Sequence, residues 1–112
     1  MTEISWQDFA KVDLRAGTIL KAEAFPEARK PAYILTIDFG AEIGVLKSSA
    51  QITDFYAPDE LVGKQIIGVV NFPRKQIGPF VSECLVTGLV QKDGRVILAV
   101  PDKVAENGLK LG

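Results

Sequence analysis

Val12–Glu23, which reads VDLRAGTILKAE, alternates between mostly apolar residues at even-numbered positions and mostly polar residues at odd-numbered positions. This period of two is typical of a half-buried β-strand, and it predicts that Leu20 faces the core with the other even-numbered residues. Gly17, in the middle of the stretch, predicts a bulge or a sharp bend. Because small closed barrels are built from long, bent strands, the stretch favours a β-barrel.

Apolar runs on the C-terminal side of this strand predict the rest of the barrel. The runs predicted as strands are Ala32–Phe39, Ile43–Lys47, Gln65–Phe72, Cys84–Val90 and Arg95–Val100. A helical turn is predicted within Asp54–Gly63, between the third and fourth strands, and Asp93-Gly94 predicts a hairpin. Five to six short strands with one such turn are the outline of an all-β oligonucleotide/oligosaccharide-binding barrel, or OB-fold.

The two ends of the chain add a short helix and an extension to this barrel. Ser5 and Asp8 have the spacing of a capping box, and Trp6 and Phe9 follow at helical spacing. The C-terminal residues 101–112 carry scattered apolar side chains among charges. Both segments either cover the domain itself or contact a second copy of the chain.

Composition excludes several kinds of site. A chain of 112 residues predicts one domain, residues 1–112. The chain has no histidine and one cysteine, Cys84, so it can form neither an intrachain disulfide nor a Cys/His zinc site. Ser49 and Ser82 lack a histidine that would activate them. We therefore expect no enzyme activity and no metal or other cofactor, and we expect Cys84 to be a buried, inert thiol.

Charge and hydropathy predict where the protein acts. The N-terminal residues are polar and lack the basic and apolar regions of a signal peptide. No apolar run approaches the ~20 residues of a membrane-spanning helix. A net charge of −1 argues against nonspecific coating of nucleic acid, although a local basic face is compatible with it. These features predict a soluble, cytoplasmic protein without membrane insertion.

The first candidate for a binding site is the loop Asn71–Thr87. No acidic residue occurs from Leu61 to Ser82, and the loop combines the cations Arg74 and Lys75 with Phe72 and Phe80. Cations neutralise phosphates, and aromatic rings stack on unpaired bases. The alternative is a solvated connection in which Phe80 packs into the mouth of the barrel.

Two further polar groups are predicted near the same rim. Lys47-Ser48-Ser49-Ala50-Gln51 places a cation and short hydrogen-bonding side chains at the end of a strand, where they contact a ligand or cap the next turn. Arg29-Lys30 lies in a loop bounded by two prolines. Three such sets at strand ends suit a single rim of a barrel.

Four segments, taken in order, resemble one known family. They are Phe9–Ile19 (FAKVDLRAGTI), Phe25–Ala28 (FPEA), Tyr56–Lys64 (YAPDELVGK) and Asn71–Leu85 (NFPRKQIGPFVSECL). Together they resemble the tRNA-binding domain family, which is also found fused to methionyl- and phenylalanyl-tRNA synthetases. The form of Asn71–Leu85, and that of Lys47–Thr53 (KSSAQIT), are similar to the stand-alone CsaA chaperone branch of the family.

The resemblance implies an OB-fold and the positions of two functional surfaces. The implied ligand site contains Lys47, Ser48, Ser49 and Gln51 on one side and Asn71, Arg74, Lys75, Ser82 and Glu83 on the other. Together with Lys30, Phe72 and Phe80, these residues form the predicted binding set. The resemblance also implies a homodimer through segments 1–11 and 101–112, with Trp6, Phe9, Val104, Leu109 and Leu111 in the interface.

The ligand implied by the resemblance is tRNA, unfolded or pre-secretory polypeptide, or both. Where the wider family has Gly-Met after Ser-Glu, this chain has Cys84-Leu85, and its early loop reads Ala28-Arg-Lys30 instead of Ala-Asp-Lys. These departures favour the CsaA branch and a chaperone function in protein export. The alternative is a structure-specific tRNA-binding module that acts with an aminoacyl-tRNA synthetase.

Overall fold

A computed structural model describes the whole chain, Met1–Gly112. Its elements in chain order are α1 (Trp6–Ala10), β1 (Leu14–Ala24), β2 (Tyr33–Asp38), β3 (Val45–Ala50), α2 (Pro58–Leu61), β4 (Gln65–Val69), β5 (Lys75–Ile77), β6 (Phe80–Ser82), β7 (Leu85–Val86), β8 (Gly88–Val90) and β9 (Val96–Leu98). The two helices have five and four residues, and neither is long and apolar enough to cross a lipid bilayer. The predicted all-β class is therefore confirmed.

Five strands form a nearly closed barrel with the order β3-β2-β1-β4-β7, and each neighbouring pair is antiparallel. The two edge strands meet where the Glu83 N–H donates to the Lys47 carbonyl at 2.8 Å. The remaining strands form two hairpins, β5–β6 and β8–β9, outside the five-stranded sheet. This is the predicted OB-fold-like barrel, with the short N-terminal helix also as predicted.

The long first strand changes partners along its length. It pairs with β4 over Leu14–Thr18 and with β2 over Thr18–Ala24. The register shifts between Ile19 and Lys21, so the bulge lies at Leu20 and not at Gly17. The predicted faces are accordingly wrong at Ile19 and Leu20. Ile19 is completely buried and Leu20 is 49% exposed, whereas beyond the bulge Ala22 packs against the core as predicted and Ala24 is exposed.

Gly17 serves close packing instead of a bend. A Cβ atom at Gly17 would lie 2.7 Å from Ile37 Cγ2 and 2.8 Å from the ring of Phe39. Gly68 on the neighbouring strand has the same role, since its Cβ would lie 2.9 Å from that ring. Two glycines therefore make room for one buried aromatic side chain at the centre of the barrel.

The predicted helical turn between the third and fourth strands is α2, and it closes one end of the barrel. Leu61 on α2 is completely buried and belongs to the hydrophobic core. The turn that follows is fixed on β1, where the Gly63 N–H donates to the Ile19 carbonyl at 2.8 Å and the Ile19 N–H donates to the Lys64 carbonyl at 2.9 Å. Gly63 has a φ of 89°, which favours glycine after a helix.

The C-terminal extension runs along the first half of β1. The Ala16 N–H donates to the Leu109 carbonyl at 2.9 Å, and the Leu111 N–H donates to the Leu14 carbonyl at 2.8 Å. The Gln65 side chain holds the preceding turn, because its amide bonds both the N–H and the carbonyl of Ala105 at 2.8 and 2.7 Å. The extension thus pairs with β1 through its backbone, while the side chains of Leu109 and Leu111 are exposed.

Several strand bounds differ from the predicted ones. β3 extends to Ala50, three residues beyond the predicted end at Lys47, and inward and outward side chains alternate through the added residues. The predicted strand Cys84–Val90 divides into β7 and β8, and the β5–β6 hairpin lies inside the predicted loop Asn71–Thr87. The Asp-Gly hairpin is confirmed, with Gly94 at a φ of 89°.

Candidate ligand-binding groove

An open groove of about 820 Å³ lies at the side of the barrel where the edge strands meet. One wall is the end of β3, and the opposite wall is the segment from Cys84 to Gly88, which contains β7. The loop before β5 and one face of the β8–β9 hairpin complete it. A groove of this size is in the range of binding sites for ligands of moderate size.

The floor of the groove is apolar. Six of its apolar lining residues come from β3 and the segment just after it, from β5, from β7 and from the β8–β9 hairpin, namely Ala50, Ile52, Ile77, Val86, Val90 and Val96. Phe72 stands at the edge and is 53% exposed, so its ring is open to a ligand. Exposed apolar surface in a concave site marks it as a place for binding.

Polar and cationic groups surround this floor. Arg74 and Lys75 are exposed and line the groove, together with Ser49, Gln51, Ser82 and Thr87. Ser49 and Ser82 join its two sides, since the Ser49 N–H donates to Ser82 Oγ at 3.2 Å. The site therefore offers charge-assisted hydrogen bonds at its edge and apolar contact at its centre.

Glu83 is the carboxylate nearest to these cations. Its Oε1 accepts a hydrogen bond from the Lys47 N–H at 3.0 Å, and its Oε2 lies 3.5 Å from Arg74 Nη2. Arg74 is well exposed, so this ion pair is a weak one that a competing anion can replace. One carboxylate oxygen of Glu83 thus bonds the backbone of β3 at the junction of the edge strands, and the other pairs with Arg74 at the rim of the groove.

Half of the predicted binding set lines the groove. These residues are Ser49, Gln51, Phe72, Arg74, Lys75 and Ser82. They come from the end of β3 and the residue after it, from the loop before β5, from the start of β5 and from β6, and the fold brings these segments together at the groove. Contact with a ligand remains a prediction for all of them.

Ser48 is the clearest departure from the predicted set. Its side chain is completely buried, because Leu46, Ser48 and Ala50 form the inward face of β3 while Lys47 and Ser49 point outward. The Ser48 hydroxyl donates to the Ser49 carbonyl at 3.2 Å. It is a core residue and is not available to a ligand.

Asn71 and Phe80 are also used within the protein. The Asn71 amide bonds backbone groups of Lys11 and Asp13 at 2.7 and 2.9 Å. Phe80 packs edge-on against Phe25 with ring centroids 5.4 Å apart, which is the packed position that was considered as its alternative. Neither side chain lines the groove.

Lys30, Lys47 and Glu83 lie outside the groove lining as well. Lys30 is exposed in the loop between β1 and β2, which packs near the β5–β6 turn. Lys47 is exposed on the outward face of β3 beside Glu83. The three predicted sets of cations therefore do not all converge on one rim, and the Arg74-Lys75 pair is the one that lines it.

Cys84 lies at the bottom of the groove wall as a buried thiol. Burial raises its pKa from 9.0 to about 12, and the negative charge of Glu83 acts in the same direction. A thiol with this pKa is protonated at neutral pH and is a poor nucleophile. The predicted burial of Cys84 is confirmed, and the raised pKa agrees with an unreactive thiol.

Sequence reasoning missed the apolar floor. Val90 and Val96 are partners in the β8–β9 hairpin and share one face with Gly88 and Leu98. The Asp-Gly signal predicted this hairpin, and its two-residue period could have shown that one face carries only apolar side chains. Which of its faces borders the groove depends on tertiary structure and carries no sequence signal.

The predicted dimerisation segments lie side by side. A shallow cleft of about 280 Å³ between α1 and the C-terminal extension is lined by Trp6, Phe9 and Leu111, among others. Trp6 packs against Phe9 with ring centroids 5.5 Å apart and the rings tilted by 48°, and it remains 65% exposed. Val104 and Leu109 are exposed outside this cleft.

Known structures and proteins share this architecture. The crystal structure of the chaperone CsaA from Bacillus anthracis strain Ames matches with a TM-score of 0.94 and 49% identity, over 99% of this chain and 100% of that one. The CsaA chaperone protein from Picrophilus torridus matches with a TM-score of 0.92 and 52% identity, over 98% and 100%. The similarity to the CsaA branch that the sequence motifs predicted is confirmed.

Two methionine–tRNA ligases match this chain over a small part of their own length. The methionine–tRNA ligase of Flavobacterium johnsoniae is 31% identical over 105 residues, which are 94% of this chain and 14% of the ligase. That of Pyrococcus horikoshii is 36% identical over 112 residues, 99% of this chain and 15% of the ligase. The chain thus spans 14% to 15% of the length of these curated relatives. Residues 14–110 match the family described as "Putative tRNA binding domain", and the chain therefore belongs to the tRNA-binding domain family.

Proposed function

We propose that this protein is a cytoplasmic chaperone of CsaA type, which binds unfolded or pre-secretory polypeptide segments in the groove and acts in protein export. It acts as a binding protein and not as an enzyme. The observation that carries the proposal is the apolar floor of the groove with the exposed ring of Phe72 at its edge. The similarity along nearly the whole chain to two CsaA chaperones supports it.

An apolar floor suits unfolded polypeptide for a physical reason. Unfolded chains expose apolar side chains, and burying them contributes about 25 cal/mol per Å² of apolar surface. The serine and glutamine side chains at the rim, Ser49, Gln51 and Ser82, can bond the backbone of an extended segment without reading its sequence. The groove is open to solvent, so a polypeptide segment can reach its floor from outside the barrel.

The test compares two phenylalanines. Suppression of the aggregation of a chemically unfolded client enzyme is measured by light scattering with the parent protein, Phe72→Ala and Phe80→Ala. Phe72→Ala should weaken suppression, because its ring lines the groove. Phe80→Ala removes the same ring outside the groove and should retain suppression once circular dichroism shows that it is folded. A parent protein that suppresses no aggregation would sink the chaperone proposal.

Binding of tRNA is the second candidate function, supported by the family and by the cations at the rim. Arg74 and Lys75 are exposed side by side at the groove, and Lys47 is exposed on the adjacent strand. Such cations bind phosphates with release of counterions, so the affinity for tRNA would fall as salt rises. In this role the protein would act with an aminoacyl-tRNA synthetase and recognise tRNA structure.

Two Arg-Lys pairs in the chain allow a matched test of RNA binding. The affinity for tRNA is measured by filter binding over a series of salt concentrations. Replacing Arg74 and Lys75 with alanine should weaken binding and reduce the slope of log K against log salt by about 2. The same change at Arg29 and Lys30, which lie outside the groove, should leave affinity and slope near those of the parent. Equal effects of the two double variants would refute the groove as the RNA site.

We also propose that the protein is a homodimer held by residues 1–11 and 101–112. The apolar side chains left exposed there support the proposal. Trp6→Ala combined with Leu109→Asp should convert the dimer to monomer in size-exclusion chromatography with light scattering. Val62→Asp is the control, since Val62 is exposed to the same 53% as Leu109 and lies outside both segments. An unchanged dimer in the double variant would remove these residues from the interface.

A further inference from the structure

We propose that Asn71 is a positioning residue that couples the rim of the groove to the N-terminal helix. Its side chain holds the segment from Phe72 to Lys75 against the chain that leaves α1, so ligand binding and the position of α1 depend on each other. The inference rests on the proposed function of the groove. It assigns Asn71 a role different from the ligand contact that family resemblance implies.

The geometry of Asn71 supports a clamp. Its Oδ1 accepts a hydrogen bond from the Asp13 N–H at 2.9 Å, and its Nδ2 donates to the Lys11 carbonyl at 2.7 Å. Beside it, the Val70 N–H donates to the Asp13 carbonyl at 2.9 Å. Both ends of one exposed amide therefore bind backbone groups about 60 residues away in sequence, and the next residue along the chain is Phe72 at the groove.

The same clamp reaches α1 and the C-terminal extension. Lys11 is the C-cap residue that follows α1, and its N–H donates to the Asp8 carbonyl at 3.4 Å. The Asp13 carboxylate pairs with Arg15 at 2.6 Å, and Arg15 Nη1 donates to the Gly108 carbonyl at 2.9 Å. This half-buried pair raises the pKa of Arg15, which stays charged. The rim is thereby connected to both ends of the chain through direct hydrogen bonds.

Such a connection has a thermodynamic consequence. If a ligand in the groove shifts the rim, the hydrogen bonds of Asn71 shift Lys11 and with it α1. Linkage requires that any effect of the ligand on the contacts of α1 equals the effect of those contacts on ligand affinity. In a homodimer joined at α1, ligand binding and dimerisation would therefore change each other by the same factor.

Trp6 provides the readout, because it is the only tryptophan of the chain and does not line the groove. Reduced, carboxymethylated ribonuclease A, which is unfolded and contains no tryptophan, and total tRNA are titrated separately into the full-length protein. The fluorescence emission of Trp6, excited at 295 nm, is recorded during each titration, and the affinity for the same probe is measured separately. Binding to the parent should change this emission with the same midpoint as binding itself.

Asn71→Ala should break the coupling. We expect binding about threefold to tenfold weaker, as for the loss of one or two hydrogen bonds, and an emission of Trp6 that no longer responds to bound ligand. Asn71→Asp keeps the acceptor for the Asp13 N–H and loses the donor to Lys11, so its response should be intermediate. It serves as the second variant if Asn71→Ala does not fold.

Gln76→Ala is the matched control. The Gln76 amide also bonds two backbone carbonyls, those of Gly78 and Phe80 at 2.7 and 3.3 Å, but both lie within its own hairpin. It should keep the response of Trp6. The coupling alone is overturned if the emission of Trp6 changes equally in the parent and in Asn71→Ala at saturation. It is also overturned if the parent binds a probe without any change in emission. A parent that binds neither probe overturns the proposed function and the coupling with it.

Discussion

Phe39 and Phe72 have the same type of side chain but differ in burial. Phe39 is completely buried between two glycines of the barrel, whereas Phe72 is 53% exposed at the edge of the groove. The barrel strands around Phe39 are up to 11 residues long and share one five-stranded sheet. Besides β3 and β7 of that sheet, the groove is bordered by β5, β6, β8 and β9, which have three residues each and pair only within hairpins.

The difference separates what stabilises the fold from what serves binding. Long strands with a shared core bury their apolar side chains, and the free energy of folding comes mainly from that burial. A two-stranded hairpin cannot bury both of its faces and is marginally stable by itself. The β8–β9 hairpin therefore keeps apolar side chains open to solvent on one face and borders the groove with the other.

The sharpest test of this separation compares truncation of the two phenylalanines. Phe39→Ala should lower the free energy of unfolding by about 3–5 kcal/mol, because it removes a fully buried ring and leaves a cavity. Phe72→Ala should change it by less than about 1 kcal/mol, since half of that ring is already in water. Urea denaturation followed by circular dichroism measures both. Equal losses of stability would mean that the rim is part of the core.

Two glycines give a second comparison, with a smaller effect. Gly17→Ala places a methyl group against Ile37 and Phe39 in the packed core and should cost about 1–3 kcal/mol. At Gly88 a Cβ would lie 2.5 Å from Val96 Cγ1 and 2.9 Å from the Ile97 carbonyl oxygen. Because the β8–β9 hairpin lies outside the five-stranded sheet and Leu98 is its one buried strand residue, we expect Gly88→Ala to cost less stability and to weaken binding in the groove instead.

Thermal and urea unfolding of the two alanine variants, measured beside tRNA and polypeptide binding, decides the outcome. A loss of stability at Gly88 that matches or exceeds the loss at Gly17 would contradict a movable rim. Normal binding by Gly88→Ala would show that the hairpin tolerates the shift without changing the groove.

The fold could be predicted because its elements have local signals. The capping box of α1, the two-residue period of the strands and the Asp-Gly turn are each encoded within a few residues. The faces of β1 were not predictable, because the bulge at Leu20 depends on pairing with β2 and Leu20 is apolar like its neighbours. Gly17 was predicted to mark a bulge or a bend, whereas the structure shows that it makes room for the ring of Phe39. This contact, too, is between residues far apart in sequence.

The site was predictable where charge and loop position defined it. Arg74, Lys75 and Phe72 have such a signal and lie at the groove. Ser48 was assigned from the polar run at a strand end and by resemblance, and Asn71 by resemblance. Their orientation, however, follows from the phase of β3 and from a contact with residues 11 and 13. Long-range contacts of this kind leave no trace in a single sequence.

Cys84 joins core and groove, and its ionisation gives a test that depends on pH. Its pKa of about 12 in the folded protein is above the ordinary value of 9.0, so the folded state favours the protonated thiol. The resulting stability is complete below pH 9 and is lost as pH rises from 9 towards 12, where the unfolded state has released its proton first. Compared with Cys84→Ala, the parent should lose up to about 1.4 kcal/mol more for each pH unit in this window.

The measurement is the free energy of unfolding at pH 8, 9 and 10 for both proteins, since the other titrating groups are common to the two. Parallel curves would contradict a thiol that is protected from ionisation. Rapid labelling of the folded parent by a thiol reagent at pH 8 would place Cys84 on the accessible side of the groove wall.

A substitution at Glu83 tests whether the charge at the rim affects the affinity for tRNA without affecting the affinity for polypeptide. Glu83→Gln keeps an acceptor for the Lys47 N–H and removes the charge that restrains Arg74. Since exposed ion pairs contribute roughly 0.2–1 kcal/mol, release of Arg74 should raise the affinity for tRNA by about twofold to fivefold at low salt. Binding of an uncharged unfolded polypeptide should not change.

Glu60→Gln is the control for this smallest effect. Glu60 also accepts a backbone N–H, that of Ala57 at 2.7 Å, and the substitution removes the same single charge at α2, away from the groove. If both variants raise tRNA affinity equally, the gain comes from net charge and not from Arg74. If Glu83→Gln weakens tRNA binding while Glu60→Gln does not, the carboxylate itself contacts the RNA. A gain confined to Glu83→Gln would mean that Glu83 partly neutralises Arg74 in the parent protein and so weakens the attraction of the groove for RNA phosphates.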